Sequence, residues 1–277
     1  MIGIFDSGFG GLATLHFLQK ILPEKNYIFF GDTINSPFGN RSQEKIYEFT
    51  KFGVNFLFSH GAKIVLIACN TASCVALRKL QIENPSKKIL GVLIPAAEEA
   101  LEKSRFGKIG VIGTRATIKS KKFNYEIEKL YPKIYQPKDR RAQKIPLVFS
   151  EAAPLLVPLV EENWISRPET TMILKKYIHN LRDANVDTLI LGCTHYHFLK
   201  KIFARKMGKR CQIINSAETQ AYRFLDYLKK HPEISENLSN GGKTKFFTSG
   251  ETEKFLKIGS IFLKKKIAKN AIEKIIN

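Results

Sequence analysis

The stretch Ile64-Val65-Leu66-Ile67-Ala68-Cys69-Asn70-Thr71-Ala72-Ser73 decides how the rest of the chain is read. Five apolar residues, three of them β-branched, predict a buried strand. Asn-Thr-Ala-Ser then supplies N-cap candidates, so a helix follows at once and the thiol sits on the turn between the two. Far along the chain, Thr188-Leu189-Ile190-Leu191-Gly192-Cys193-Thr194-His195-Tyr196 repeats the construction. Two cysteine elbows predict two βα frameworks of one kind. Continuous apolar strands alternating with helices belong to parallel sheets, so the expected class is α/β with doubly wound parallel sheets.

Upstream of the first elbow, Ile2-Gly3-Ile4-Phe5 predicts a strand ending at Asp6-Ser7-Gly8-Phe9-Gly10-Gly11, and Leu12, Leu15, Leu18 and Leu22 continue at helical spacing. A glycine turn at a helix amide end can receive an anion. Its spacing is neither the dinucleotide fingerprint nor a P-loop, and a tight βα turn without ligand accounts for it equally well. Tyr27-Ile28-Phe29-Phe30 predicts the second strand, and the loop Asn35-Ser36-Pro37-Phe38-Gly39-Asn40 follows at the same strand ends as a candidate rim. A strand over 89–94 and Pro95 mark the expected crossing into a second domain. There the pattern restarts, with a helix over 96–103, a strand over 108–113, a turn over 114–117 and a helix over 118–131. A further helix around 170–184 precedes the Cys193 strand. The strand at Gln212-Ile213-Ile214 is expected to open the return to the first domain, ahead of a last strand over 245–248 and a basic C-terminal helix. The expected domains are thus 1–95 with 212–277, and 96–211.

Composition bounds the chemistry. With 277 residues and 44% hydrophobic content, the chain can bury a substantial core. No apolar run reaches the roughly 18 residues of a membrane span, and Met1 leads straight into a strand, so a cytoplasmic protein without a membrane partner is expected. The four cysteines, at 69, 74, 193 and 211, are too few and too scattered for a disulfide framework and make no paired zinc motif. The net charge of +20 has clusters at 119–122, 138–141 and 264–266. Solvated lysine-rich faces explain it, as does steering of an anionic ligand or partner, while no helix-turn-helix or zinc-finger spacing stands out.

A cysteine at a helix N-terminus gains from the positive end of the macrodipole, which favours a thiolate near neutral pH. Two such cysteines, each at the end of a parallel strand in its own domain, are expected to face one another across the cleft between the domains, where α/β ligands bind. Opposed thiols suggest a proton relay: one takes a proton from a substrate carbon while the other gives one to the opposite face. Asp6, at the end of the first strand, and His195, two positions past Cys193, are the candidate assisting groups. Small buried hydrophobes at strand ends are the plainer reading of the same cysteines, while Cys74, mid-helix among Ala and Val, reads as core and Cys211 precedes a strand with no polar companion.

These residues meet a family. Asp6-Ser7-Gly-Phe-Gly-Gly-Leu12, Pro37-Phe38-Gly39, Ala68-Cys69-Asn70-Thr71-Ala72-Ser73, Val157-Pro158-Leu159-Val160-Glu161 and Leu191-Gly192-Cys193-Thr194-His195-Tyr196 resemble bacterial glutamate racemase, in order and over essentially the full chain. The resemblance implies two pseudo-symmetric flavodoxin-like domains that dimerise. It implies cofactor-independent interconversion of L- and D-glutamate for peptidoglycan synthesis, with neither a metal nor another cofactor. By matching positions, Cys69 and Cys193 are the proton donor and acceptor pair, assisted by Asp6, His195 and Glu161. Asp6, Ser7, Phe38, Gly39, Asn70, Thr71, Thr194 and His195 bind substrate. The chain departs from the family's usual pattern at Phe38, where Tyr is usual, at Tyr196-His197, which replaces aromatic-Pro, and at Ala153, where many members carry Cys. Aspartate racemase and related two-thiol racemases share the architecture. A basic protein that binds DNA or gyrase is the alternative from a different class.

Overall fold

Runs of β-branched and aromatic residues become the strands: β1 (Ile2–Asp6), β2 (Tyr27–Gly31), β3 (Ile64–Ile67), β4 (Lys88–Leu90), β5 (Lys108–Gly113), β6 (Leu147–Ala152), β7 (Thr188–Gly192), β8 (Gln212–Asn215), β9 (Thr244–Thr248) and β10 (Ile272–Lys274). The helices between them are α1 (Leu12–Ile21), α2 (Gln43–Ser59), α3 (Asn70–Glu83), α4 (Leu93–Lys103), α5 (Arg115–Lys119), α6 (Lys122–Ile134) and α7 (Leu156–Glu161). They continue with α8 (Pro168–Tyr177), α9 (His179–Asp183), α10 (Lys200–Met207), α11 (Ser216–Lys230), α12 (Pro232–Ser235) and α13 (Thr252–Leu263). This computed structural model describes residues 1–137 and 139–275, so Lys138 of the second basic cluster lies outside the described residues.

The chain divides into two compact units, Met1–Val92 with Gln220–Asn277, and Leu93–Thr219. Each is built on a parallel sheet. The first has strand order β10-β9-β2-β1-β3-β4, the second β6-β5-β7-β8. Both follow one route: the first strand lies centrally, the second on one side of it, and the third and fourth on the other. The first sheet adds β9 and β10 beyond β2. The parallel two-unit α/β class read from the sequence is the one the chain adopts.

In the first unit, β1, β2 and β3 are buried along their whole length, as strands covered on both faces must be. Neighbouring residues of β2 show the two faces. Phe29 meets Phe255 of α13 with centroids 6.0 Å apart, while Phe30 meets Phe56 of α2 at 5.2 Å. Gly53 lets α2 lie close to the sheet, since a Cβ there would stand 2.2 Å from a ring carbon of Phe5. Among the described residues, no helix is long and apolar enough to cross a membrane.

Five expectations need correction. The apolar run over 89–94 divides, with β4 ending at Leu90 and α4 beginning at Leu93. Pro95 is tolerated there because the amides of a first helical turn have no intrahelical partner. The turn expected over 114–117 is the start of a helix, because the Thr114 side chain caps α5 by accepting from the Thr117 amide. The single helix expected over 118–131 is broken at Lys121, whose φ of 53° is left-handed, giving α5 and α6. The helix around 170–184 is likewise two, α8 and α9, separated at Ile178. Finally, β8 does not open a return to the first sheet; it pairs with β7 in the second, from Thr188↔Gln212 to Leu191↔Asn215. A short βα connection sets the next parallel strand beside the one it left, and here that neighbour is β7.

Candidate active site

In the first unit, the site residues gather where β1 and β3 end. The ladder between these strands reaches Phe5↔Ile67, and the Ala68 amide still donates to the Phe5 carbonyl at 2.9 Å. The two chains leave the sheet together, which puts Asp6-Ser7 beside Cys69. Ser7 Oγ and Cys69 Sγ are 3.2 Å apart. The sulfur also accepts from the Ala72 amide at 3.4 Å, so Cys69 is itself the N-cap of α3. A first-turn helix amide and the positive end of the dipole both favour negative charge at that sulfur. Asp6 is fully buried and its Oδ2 accepts from the Gly8 amide at 3.0 Å. The glycine turn is obligatory here, because a Cβ at Gly11 would come within 2.6 Å of Asp6 Cβ. Asn70 and Thr71, the first residues of α3, are buried alongside.

Phe38 and Gly39 form a short 3-10 turn over Phe38–Asn40, and both are buried. Phe38 packs its ring 6.3 Å from Phe5 and 5.7 Å from Phe49. The loop leading to them is pinned by Asp32, which the sequence did not single out. Its carboxylate accepts from Ser249 Oγ at 2.7 Å and from Asn35 Nδ2 at 3.0 Å. Burial raises the Asp32 pKa, against the lowering effect of those hydrogen bonds.

The second unit repeats the placement with different chemistry. Gly113 of β5 pairs with Gly192 of β7, and Thr114 and Cys193 are the next residues on the two strands. Thr114 thus holds the position that Ser7 holds in the first unit; its signal in the sequence was the repeat itself, a hydroxyl directly after the central strand. The segment after Cys193 is a 3-10 helix, Thr194–Leu199, rather than an α-helix, and the Cys193 side chain makes no capping bond. Instead, Cys193 Sγ lies 4.0 Å from His195 Nδ1, and His195 Nε2 lies 3.0 Å from Glu161 Oε1 at the end of α7. Desolvation of the buried imidazole works to lower its pKa, but the Cys193 and Glu161 side chains outweigh it and hold His195 at about 10. It is therefore an imidazolium at neutral pH. The Tyr196 hydroxyl donates to the Ala153 carbonyl at 2.7 Å and anchors this 3-10 segment against the chain ahead of α7.

The sequence-predicted residues therefore fall into two groups. Asp6, Ser7, Phe38, Gly39, Cys69, Asn70 and Thr71 belong to the first unit, and Glu161, Cys193, Thr194 and His195 to the second. Glu161 joins the second group through His195. Cys74 and Cys211 are buried elsewhere, and burial, reinforced by Asp187, pushes the Cys211 thiol up to about 12. Among the described residues, no group of three or more His, Cys, Asp or Glu side chains is gathered as a metal site.

The sequence profile of the Asp/Glu/Hydantoin racemase family matches residues 16–222. The glutamate racemase of Geobacter metallireducens is 36% identical over 262 residues, spanning 95% of this chain and 92% of that one. A glutamate racemase isoform solved from Bacillus anthracis superposes with a TM-score of 0.87 at 32% identity, covering 99% of this chain and 97% of that one. A Francisella tularensis glutamate racemase solved with D-glutamate gives 0.84 at 29%, covering 99% and 96%. With both thiol elbows, the paired glycine and rim loops and this likeness along nearly its whole length, the chain belongs to the glutamate racemase family, within the Asp/Glu/hydantoin racemases.

Proposed function

We propose that this chain interconverts L- and D-glutamate by two-thiol proton transfer at Cα, with no cofactor. The observation that carries the reading is the pair of elbows at Cys69 and Cys193, on corresponding strands β3 and β7 of two sheets wound alike, in a chain matched almost end to end by glutamate racemases. In this reading one sulfur, as thiolate, takes the Cα hydrogen as a proton. The other, as thiol, delivers its proton to the opposite face, and the carbon inverts. Cys69 is supported by the α3 amide end and by Ser7. Cys193 is supported by the His195 imidazolium, which holds a proton within reach of the sulfur and is itself oriented by Glu161.

Asp6 assists on the Cys69 side. Ser7, Asn70, Thr71 and Gly39 bind the substrate's carboxylates and amine from the first unit, and Thr194 and His195 do so from the second. Phe38 brings no hydroxyl to the rim and acts by packing, holding Gly39 through its contacts with Phe5 and Phe49. The enzyme works in the cytoplasm as a homodimer, and its product feeds peptidoglycan synthesis. Light scattering on the purified protein tests the dimer. Circular dichroism of L-glutamate incubated with purified protein and no added cofactor tests the activity. The expected result is decay of the signal to zero, with L-aspartate keeping its signal under the same conditions. An unchanged glutamate signal overturns the reading.

A further inference from the structure

At the opposite edge of the second sheet from Cys193, where β5, β7 and β8 begin, lies a cavity of about 760 Å³ lined by Lys103, Arg105, Arg141, Lys209 and Arg210. Four separate segments supply these five cations: the last turn of α4, the α4–β5 loop, the loop before β6 and the loop before β8. Basic residues near helix C-termini are expected from the helix dipole, and that accounts for Lys103 in the last turn of α4. It does not account for the two arginines. Arg105 and Arg141 lie 5.2 and 5.5 Å from the centroid of the Phe106 ring and both reach the Asp139 carboxylate, which gathers the two guanidinium groups on one side of the cavity. The one acid lining the cavity, Asp187, has its two oxygens engaged by the Ser104 hydroxyl and the Phe106 amide. Lys209 and Arg210 are exposed and make no ion pair among the described residues. The hydroxyl of Tyr135, against Gly107, is buried without a hydrogen-bond partner.

We propose that this cavity is a second binding site and that it takes a diphosphate group. Planar guanidinium groups match phosphate oxygens in pairs, those of Arg105 and Arg141 in exchange for Asp139, and flanking ammonium groups add charge without demanding geometry. Lys103 is paired with Glu99 and both arginines with Asp139, so five cations less the three acids Glu99, Asp139 and Asp187 leave an excess of two positive charges, centred on Lys209 and Arg210. That is more than a monoanion answers, and the volume suits a ligand of nucleotide size. Two sources offer the same chemistry, free inorganic diphosphate and a nucleoside diphosphate.

Isothermal titration of the full-length protein with inorganic diphosphate, ADP and inorganic phosphate at low salt tests the assignment. The expected result is one diphosphate-bearing ligand per chain, bound at least about tenfold more tightly than phosphate and weakened as salt rises. Tighter binding of ADP than of diphosphate identifies the nucleoside form as the better ligand; equal binding identifies the bare diphosphate group. Arg141→Gln, and separately the exposed pair Lys209→Gln with Arg210→Gln, should each weaken binding about tenfold while leaving glutamate turnover unchanged. The exposed pair keeps the test decisive if loss of the Asp139 contact unsettles the fold. Absence of binding by both diphosphate compounds, displacement of the ligand by saturating D-glutamate, affinity unchanged in both variants, or binding of duplex DNA alone would each overturn the proposal.

Discussion

Cys69 and Cys193 end equivalent strands, yet each sulfur is held by different means: a helix amide and a serine for the first, an imidazolium backed by a carboxylate for the second. Cys69→Ala and Cys193→Ala are each expected to abolish racemisation, while Cys74→Ala and Cys211→Ala retain it; polarimetric assay of the four variants checks this, and a single-elbow variant near wild-type rate sinks the two-thiol mechanism. His195 adds a pH dependence of definite sign. Its folded pKa, about 10, is raised from 6.5, so its contribution to stability is full below pH 6.5 and is lost as pH rises through 10. The melting-temperature difference between wild type and His195→Gln should therefore be largest below pH 6.5 and shrink steadily towards pH 10. Glu161→Gln removes one of the groups holding the proton and should move the alkaline limb of kcat against pH to lower pH. An unmoved limb would mean that His195 does not govern it.

At the scale of elements, α2 lies close to β1 because position 53 has no side chain. Alanine in place of a helical glycine gains up to about 1 kcal/mol of helix propensity. Against this, a Cβ 2.2 Å from the Phe5 ring forces a repacking that costs about 1–3 kcal/mol. Gly53→Ala should thus lower stability in a urea titration, and a stabilised variant would refute the close approach. Lys121→Gly should do the reverse by up to about 1 kcal/mol, since it relieves a left-handed lysine between α5 and α6.

The same scale shows what was legible in the chain. The central strands β1, β2, β3, β5 and β7 were read because they are continuous apolar runs buried on both faces. Strand β6 was missed because it is an edge strand whose residues are all partly or fully exposed, with Leu147 44% exposed, so burial imposed no pattern on it. Strand β10 is three residues long with only Ile272 buried. Pro95 was read as marking a crossing between domains, but it is the third residue of α4, where proline costs little. The site was legible wherever chemistry clustered in sequence, as at Cys69-Asn70-Thr71 and Cys193-Thr194-His195. The His195–Glu161 contact spans 34 positions and joins two elements that no local pattern connects. Thr114 had a signal in the repeat of a hydroxyl after the central strand, and the β5–β7 register places it beside Cys193.

For the molecule as a whole, isotope transfer tests the two-thiol proposal more sharply than substrate choice. If each sulfur serves one face, the proton delivered to the product comes from a thiol that has exchanged with water. In heavy water, starting from either enantiomer, early product should carry deuterium at Cα almost completely, while recovered substrate carries little. Mass spectrometry of the separated enantiomers reads both, and substantial return of the original hydrogen to product would point to a single base.

The strand order of the first sheet also bears on how the protein is made. The second unit is one continuous segment, so it can close while the C-terminal part of the chain is still on the ribosome. The first unit cannot. Its strand β2, Tyr-Ile-Phe-Phe-Gly, pairs on one side with β1 and on the other with β9, from Tyr27↔Thr244 to Gly31↔Thr248. Until residue 248 emerges, a nascent chain carries this aromatic strand as a bare sheet edge, open to pairing with its neighbours on a polysome. A chain released before β9 is translated keeps that edge for good, so premature termination late in the message yields a sticky product rather than a merely inactive one.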